Sequence, residues 1–215
     1  MRPFGSRGVY ASDVRLLVQS HVFPAPLVWH SASKGKWHLG NMRTDNTVAE
    51  NGHPGIQGFD DWLATVRSTQ TVNPKFMYDS LISNHRICDN VVGQSAQIMM
   101  ARAQRFVRQS VADEKPFLAM VWFHEPHVPL YATKVHSDLY NDHPTVAATK
   151  RTYWAALSAM DEAIGDLRAE LRTLGIEQDT LVWFFSDNGP DHKGGFPGSS
   201  GGLSGHKFQV RISTV

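Results

Sequence analysis

Apolar residues recur at helical spacing in two long segments of this chain. In residues 152–174 and 95–109, the large apolar side chains fall three and four positions apart, which places them on one face of a helix. Gly175 follows the first of these segments and suits the left-handed conformation that often ends a helix. Three basic residues lie off the apolar stripe of the second segment, and we expect all of them in solvent: Arg102, Arg105 and Arg108.

Each predicted helix is followed by a short, continuous apolar run, at residues 117–123 and 181–185. Strands without polar alternation are typical of buried sheets. Their alternation with helices predicts an α/β fold with a largely parallel sheet flanked by helices. In such folds ligands bind beyond the carboxyl ends of the strands. The residues that directly follow each run are therefore the first candidates for function.

Composition excludes several classes of protein. The chain has 215 residues and 41% hydrophobic content, enough for one packed domain or a large piece of one. Its net charge of +1 with scattered basic residues argues against a nucleic-acid partner. The single cysteine, Cys88, excludes an intrachain disulfide. The longest apolar run is far shorter than the roughly 20 residues of a membrane span. Residues 1–7 lead into no apolar signal segment, so neither a membrane span nor an export signal is expected.

Candidate chemistry follows both predicted strands. The first run leads into His127, which lies between two prolines, and the second leads into Asp187 and Asn188. Carboxylate and amide oxygens suit a hard cation such as Ca²⁺ or Mg²⁺, while histidine titrates near neutral pH. Earlier in the chain, Lys36 and His38 occupy a glycine-bounded turn and are suited to an anion. Each pattern taken alone also fits an ordinary surface turn.

Four motifs in a fixed order carry a resemblance to a known family. They are residues 35–40 (GKWHLG), 124–129 (HEPHVP), 185–189 (FSDNG) and 203–207 (LSGHK). In this order they resemble the type I sulfatases of the alkaline-phosphatase-like superfamily. The resemblance covers residues 34–207, so we expect a partial, truncated sulfatase-like catalytic domain there, with unassigned segments at residues 1–33 and 208–215.

The resemblance implies a role for each matching residue. Lys36 and Lys207 would hold sulfate oxygens, His38 would orient the nucleophile, and His127 would protonate the departing alcohol. The implied reaction is the calcium-dependent hydrolysis of a sulfate ester on a sulfated small molecule or sulfated glycan. We expect these side chains and the Asp-Asn pair to converge on one pocket, within about 10 Å of a common centre.

The resemblance also implies cofactors, and here the chain departs from the family pattern. Asp187 and Asn188 would bind Ca²⁺, but the paired aspartates that complete this site near the family's amino terminus are missing. Sulfatases also make a formylglycine from a Cys or Ser followed by any residue, Pro or Ala, any residue and Arg. No such pattern occurs, since Cys88 is followed by DNVV. Ca²⁺ binding is therefore expected to be weak.

These departures leave three interpretations. The first is a truncated sulfatase domain that would hydrolyse an aryl sulfate no faster than its His127→Ala variant. The second is a non-catalytic binder of sulfated ligands. The third is a phosphatase or phosphodiesterase of the same superfamily, which a zinc titration would distinguish from a calcium-dependent sulfatase. Family members are usually exported, lysosomal or periplasmic, but no compartment is assigned to this chain.

Overall fold

The structure is a computed structural model that describes residues 14–20, 30–37, 53–65, 70–74, 77–79, 86–87, 91–191, 197–201 and 204–209. In these ranges seven strands form one sheet: β1 (Val14–Ser20), β2 (His30–Lys36), β3 (Asp61–Thr65), β4 (Met77–Asp79), β5 (Arg86–Ile87), β6 (Phe117–Trp122) and β7 (Thr180–Ser186). The α-helices are α1 (Ser95–Ala112), α2 (Lys134–Asp138) and α3 (Ala148–Thr173), and 3-10 helices lie at Pro54–Gln57 and Glu177–Asp179. None of the helices in these ranges is both long enough and apolar enough to cross a membrane.

The centre of the sheet is parallel, and its strands lie in the order β5-β4-β3-β2-β6-β1-β7. β2 pairs in parallel with β3 on one side and with β6 on the other. β1 lies antiparallel between β6 and β7, so β7 runs in the same direction as β6. The carboxyl ends of β2, β3, β6 and β7 therefore open on one edge of the sheet, where ligands bind in α/β folds. The predicted α/β class is confirmed, whereas β1 falls in a segment to which the sequence assigned no structure.

Both predicted helices are present and are longer than predicted. α1 ends at Ala112 rather than at residue 109, and α3 begins at Ala148 rather than at residue 152. Gly175 has a φ of +70° and closes the end of α3. Its N–H donates to the carbonyl oxygen of Arg172, and the next N–H donates to that of Leu171. These two bonds satisfy carbonyl groups that the helix end would otherwise leave unpaired, which confirms the predicted cap.

α1 and α3 pack on one face of the sheet and form the main core with it. The fully buried residues of this core include Met99, Val107, Phe117, Val121 and Leu167. The opposite face carries a second apolar layer, formed by Trp37, Trp62, Ala64 and Trp122. The rings of Trp37 and Trp122 stack with their centroids 5.3 Å apart. In the described ranges, α1 and α3 thus cover one face and a tryptophan layer covers part of the other.

One arginine of α1 lies in the interior instead of in solvent. Arg102 is 9% exposed, and its guanidinium donates to Asp61 at 3.1 Å and to Asp79 at 2.6 Å. Asp61 also pairs at 2.8 Å with the fully buried Lys34, whose pKa burial lowers to about 8 despite this partner. The prediction for Arg102 was therefore wrong, because β3 and β4 place two carboxylates beside α1. Helical periodicity contains no information about such partners.

Candidate functional site

Lys36 lies at the carboxyl end of β2, where the backbone of this strand closely approaches β6. Gly35 has a φ of +117°, and a β-carbon added to it would lie 1.8 Å from the carbonyl oxygen of Trp122. Only glycine fits at this position, because every other residue carries a β-carbon. The Lys36 side chain that follows is 2% exposed. The glycine of the first motif thus places a buried cation against the end of β6.

His124 follows β6 and lies close to both Lys36 and His127. It is 1% exposed, and its Nε2 is 2.7 Å from the hydroxyl oxygen of Thr65 at the end of β3. Burial lowers the pKa of His124 to about 3, and the positive charge of Lys36, together with that of His127 whenever it is protonated, adds to this shift. His124 is therefore neutral at neutral pH and adds no positive charge beside Lys36.

His127 contacts Lys207 across 80 residues of chain. Lys207 Nζ is 3.2 Å from His127 Nε2, while His127 Nδ1 is 2.6 Å from the carbonyl oxygen of Val128. A carbonyl oxygen only accepts hydrogen bonds, so Nδ1 carries a proton and donates it to Val128. Nε2 then accepts from the Lys207 ammonium group. This geometry assigns the neutral Nδ1–H tautomer to His127, with its basic nitrogen turned toward Lys207.

Glu125 anchors the loop that carries His127. Oε1 of this buried carboxyl group accepts hydrogen bonds from three donors at the amino end of α1: Ser95 Oγ at 2.7 Å, Gln94 Nε2 at 2.9 Å and the Ala96 N–H at 3.2 Å. Gln94 also accepts from the Thr133 N–H at 3.1 Å, beyond the other end of the loop. Burial raises the pKa of Glu125, although its donors oppose the shift. The His127 loop is therefore fastened to α1 on both sides.

β7 ends in a turn that packs against the segment carrying Lys207. A β-carbon on Gly189 would lie 2.7 Å from the carbonyl oxygen of Gly205, so the two backbones are in direct contact. The Lys207 N–H donates to the carbonyl oxygen of Pro190 at 3.0 Å. Within the turn, Asn188 Nδ2 donates to the carbonyl oxygen of Gly189 at 2.6 Å. This packing brings Lys207 beside the Asp-Asn turn.

His127, Asn188 and Lys207 line one cavity of about 550 Å³. Its volume is in the range of small-molecule sites. α3 forms another wall, together with Phe184 of β7 and residues of the 186–191, 198–200 and 204–205 segments. The structure thus brings three of the predicted site residues to one opening at the carboxyl edge of the sheet.

The other predicted site residues lie next to this group or outside the described residues. Lys36 is buried near His124, at the end of the neighbouring strand. Asp187 directly precedes Asn188 after β7. His38 and Cys88 lie outside the residues that the structure describes.

Sequence reasoning missed the residues that hold the site in place. Thr65, Gln94 and Ser95 contact His124 or Glu125 from 30 to 59 positions away in the chain. None of the three lies in one of the four motifs that carry the family resemblance. A signal existed only for Glu125, because this glutamate follows the apolar run 117–123 by two residues, and a carboxyl group buried there requires hydrogen-bond partners.

The described residues offer too few ligands for a complete calcium site. No group of three or more His, Cys, Asp or Glu residues that could hold a metal ion occurs in the part of the chain that the structure covers. Asp187 and Asn188 supply side-chain oxygens, whereas Ca²⁺ prefers six to eight oxygen ligands. By themselves these residues do not fit a complete calcium site.

Comparison with known proteins yields a consistent set of relatives. A family model described as Sulfatase matches residues 30–213 of the chain. An ulvan-active sulfatase of Formosa agariphila is 30% identical over 202 residues, covering 85% of this chain and 38% of that protein. Arylsulfatase G of Rattus norvegicus is 29% identical over 208 residues, covering 81% of this chain and 36% of that protein. The chain thus spans little more than a third of the length of these relatives.

The fold is similar to that of a solved structure. The crystal structure of Ps i-CgsB in complex with k-i-k-neocarrahexaose superposes with a TM-score of 0.56 at 18% identity. The superposition covers 70% of this chain and 35% of the other. At this identity the likeness concerns the fold alone.

Proposed function

Because the chain belongs to the sulfatase family, we propose that its cavity is the sulfate-binding part of a sulfuric ester hydrolase site. One observation carries this proposal: His127 and Lys207 meet at 3.2 Å on the wall of the cavity, although 80 residues separate them. A sulfate ester is an anion with a poor leaving group. A fixed cation next to a proton carrier is therefore what its recognition and cleavage require.

In this proposal the sulfate group enters between Lys207 and His127. A sulfate oxygen then accepts the Lys207 hydrogen bond that His127 Nε2 accepts in the free protein. In a complete hydrolase site, His127 would hold a proton on Nε2 and donate it to the leaving oxygen of the alcohol as the nucleophile bonds to sulfur and the ester sulfur–oxygen bond breaks. Lys36 stabilises the negative charge on the sulfuryl oxygens, and His38 orients the nucleophile.

The sulfatase family in general uses a metal ion and a formylglycine, which supplies the nucleophile. We assign Asp187 and Asn188 as two ligands of a Ca²⁺ ion. No step is derived through this ion, because the described residues do not complete its shell. The sequence contains no formylglycine precursor pattern. The 215-residue chain is therefore proposed to bind sulfate esters without hydrolysing them at a significant rate, since losing a covalent nucleophile removes several orders of magnitude of rate.

The proposed ligand is a sulfated small molecule or a sulfated glycan. The name of the ulvan-active sulfatase relative, which describes an enzyme active on ulvan, supports the glycan. The modest net charge of +1 agrees with a small anionic ligand rather than with nucleic acid.

Calorimetric titration with sodium sulfate, in a chloride background of constant ionic strength, tests the sulfate-binding proposal. We expect saturable binding that weakens about 10- to 100-fold in Lys207→Met, because a hydrogen bond to a charged group contributes about 1.5–3 kcal/mol. Lys134→Met is the matched control, since that side chain is 85% exposed and pairs only with the surface residue Asp138 among the ion pairs of the described chain. Its affinity for sulfate is expected to match that of the wild type.

A second readout tests the role of His127 in the same titration. Sulfate binding changes Nε2 from an acceptor into a donor, so the complex takes up a proton near neutral pH. The apparent binding enthalpy then differs between buffers of different ionisation enthalpy, and this difference disappears in His127→Asn. The proposal fails if the wild type shows no saturable sulfate binding, or if Lys207→Met binds sulfate as tightly as Lys134→Met does.

A further inference from the structure

β7 is an edge strand of the sheet in the described ranges. Its sequence, TLVWFFS, contains no charged residue and no proline, and it pairs with β1 through all seven residues without a bulge. Edge strands of soluble proteins normally carry a charge, a proline or a bulge that prevents pairing with another chain. β7 therefore lacks the features that keep a sheet edge from pairing.

The side chains of β7 are exposed on both faces of the sheet. Leu181 and Trp183 lie on the face opposite α3 and are 57% and 59% exposed, whereas Phe184 lies on the α3 face and is 53% exposed. The rings of Trp183 and Phe185, two positions apart on one face, have their centroids 5.5 Å from each other. These side chains expose roughly 300–400 Å² of apolar surface, the size at which a patch marks an interaction site.

The main chain of β7 offers hydrogen bonds to a further strand. In an antiparallel pair, every second residue turns its N–H and C=O groups toward the same neighbour. β1 binds the groups on one side of β7, and no strand of the described ranges lies on the other side. About half of the main-chain polar groups of β7 therefore point to the outer edge, where they can pair with a strand of another molecule.

A groove of about 470 Å³ runs between β7 and α3 on one face of the sheet. Val182 and Phe184 line it from β7, opposite aliphatic residues of α3. The charged residues of its lining are Asp161, Arg168 and Glu177, so the groove carries charges of both signs. A second groove of the same composition can therefore lie against it without repulsion between charges of a single sign.

We propose that β7 pairs antiparallel with β7 of a second copy of this chain, about a twofold axis that passes through Trp183, so that one sheet runs through both copies. In this register Trp183 faces its own counterpart. Leu181 faces Phe185 of the second copy, and Val182 faces Phe184 of the second copy. Cross-strand pairs of aromatic and aliphatic side chains stabilise antiparallel sheets.

A second copy fits this edge because β7 is complementary to itself. The residues on both sides of Trp183 are apolar, so no like charges face each other around the axis. At the ends Thr180 faces Ser186 of the second copy, and two hydroxyl groups can share a hydrogen bond. Two such edges, with the grooves that meet on the α3 face, bury roughly 1,000 Å², which is the low end for a biological interface. We therefore expect a dimer with a dissociation constant of about 1–100 µM rather than a permanent one.

Sedimentation velocity over a concentration series of the 215-residue chain tests this pairing. We expect the wild type to shift from monomer to dimer as its concentration rises. Trp183→Lys and Trp183→Glu should each stay monomeric, because like charges then face each other across the axis. An equimolar mixture of these two variants should form a dimer again, since the facing charges are then opposite. Leu139→Lys and Leu139→Glu are the matched controls, because Leu139 is 61% exposed at the end of α2, outside β7, and both should dimerise as the wild type does.

Several results would overturn the pairing. A wild type that is still monomeric at about 1 mM has no interface of this strength. A dimer that survives in Trp183→Lys uses another surface, and a mixture of the two charged variants that stays monomeric rules out the twofold axis at Trp183. Assemblies that grow beyond the dimer would show open-ended rather than closed pairing. Sulfate binding should be unchanged in Trp183→Lys, because Trp183 does not line the cavity of His127 and Lys207, and this titration together with circular dichroism confirms that the variant is folded.

Discussion

Replacing Gly35 with alanine tests the local geometry that presents Lys36. The new β-carbon would lie 1.8 Å from the Trp122 carbonyl oxygen, whereas β-carbons essentially never lie closer than 3.0 Å to such atoms. β2 and β6 would therefore have to separate locally by about 1 Å. At that separation a strand hydrogen bond of ordinary length is lost, because N–H···O bonds weaken beyond about 3.2 Å.

The expected cost is the sum of three contributions. A non-glycine residue at a φ of +117° costs about 1–3 kcal/mol, overpacking adds about 1–3 kcal/mol, and a lost hydrogen bond adds about 1 kcal/mol. Gly35→Ala should therefore lower the free energy of unfolding by about 3–7 kcal/mol. Since native domains are stable by about 5–15 kcal/mol, this is a large part of the total.

Gly93→Ala is the control that isolates the first contribution. Gly93 has a nearly identical φ of +123°, but a β-carbon there would meet nothing within 4 Å. Urea unfolding of both variants, followed by tryptophan fluorescence, compares the two costs. We expect Gly35→Ala to lose at least about 2 kcal/mol more than Gly93→Ala. Equal losses in the two variants would show that the close approach of β2 to β6 contributes nothing.

Two further predictions concern protons and metal. Burial and nearby positive charge lower the pKa of His124 in the folded protein from its ordinary value near 6.5 to about 3. Between these two pH values the unfolded chain binds more protons than the folded protein does, so the free energy of unfolding falls as the pH drops from 6.5 toward 3. Urea unfolding at pH 6.5 and pH 5 should show that the free energy of unfolding of the wild type falls by about 2 kcal/mol more than that of His124→Gln, at about 1.4 kcal/mol per pH unit. If the free energies of unfolding of the two proteins change with pH in parallel, the prediction is wrong. Calorimetry with CaCl₂ should give a dissociation constant weaker than about 1 mM, because Asp187 and Asn188 supply few of the oxygens that Ca²⁺ prefers. Tight binding that disappears in Asp187→Ala would show that further residues complete the site.

The helices and the strands flanking the site could be predicted because their signals are local. The apolar stripe of α3 and the glycine that ends it lie within one segment, and so does the apolar run that becomes β7. The course of β1 could not be predicted, because its antiparallel place between β6 and β7 depends on pairing with strands about 100 and 165 residues away in the chain. The prediction that Arg102 lies in solvent was wrong for a similar reason, since its carboxylate partners lie on β3 and β4.

In the candidate site, too, the residues in local motifs could be predicted, whereas those that act through contacts between distant segments could not. His127, Asn188 and Lys207 lie in short motifs whose order indicated one site, and the structure brings these three to one cavity. The groups that support them were not visible in the sequence. Thr65 and Gln94 act through contacts with His124 and Glu125, and such contacts between distant segments leave no periodic or compositional trace.

The glycines of the motifs explain why the two lysines can reach the same region. Gly35 lets β2 touch β6 immediately before Lys36, and Gly189 lets the turn after β7 touch Gly205, two residues before Lys207. In both places a β-carbon would collide with a carbonyl oxygen, so the close approach of two backbones is possible only with glycine. The backbone that carries each lysine is thereby held by main-chain contacts. An anion that binds these two lysines would meet a backbone that is already ordered, so less conformational freedom would be lost on binding.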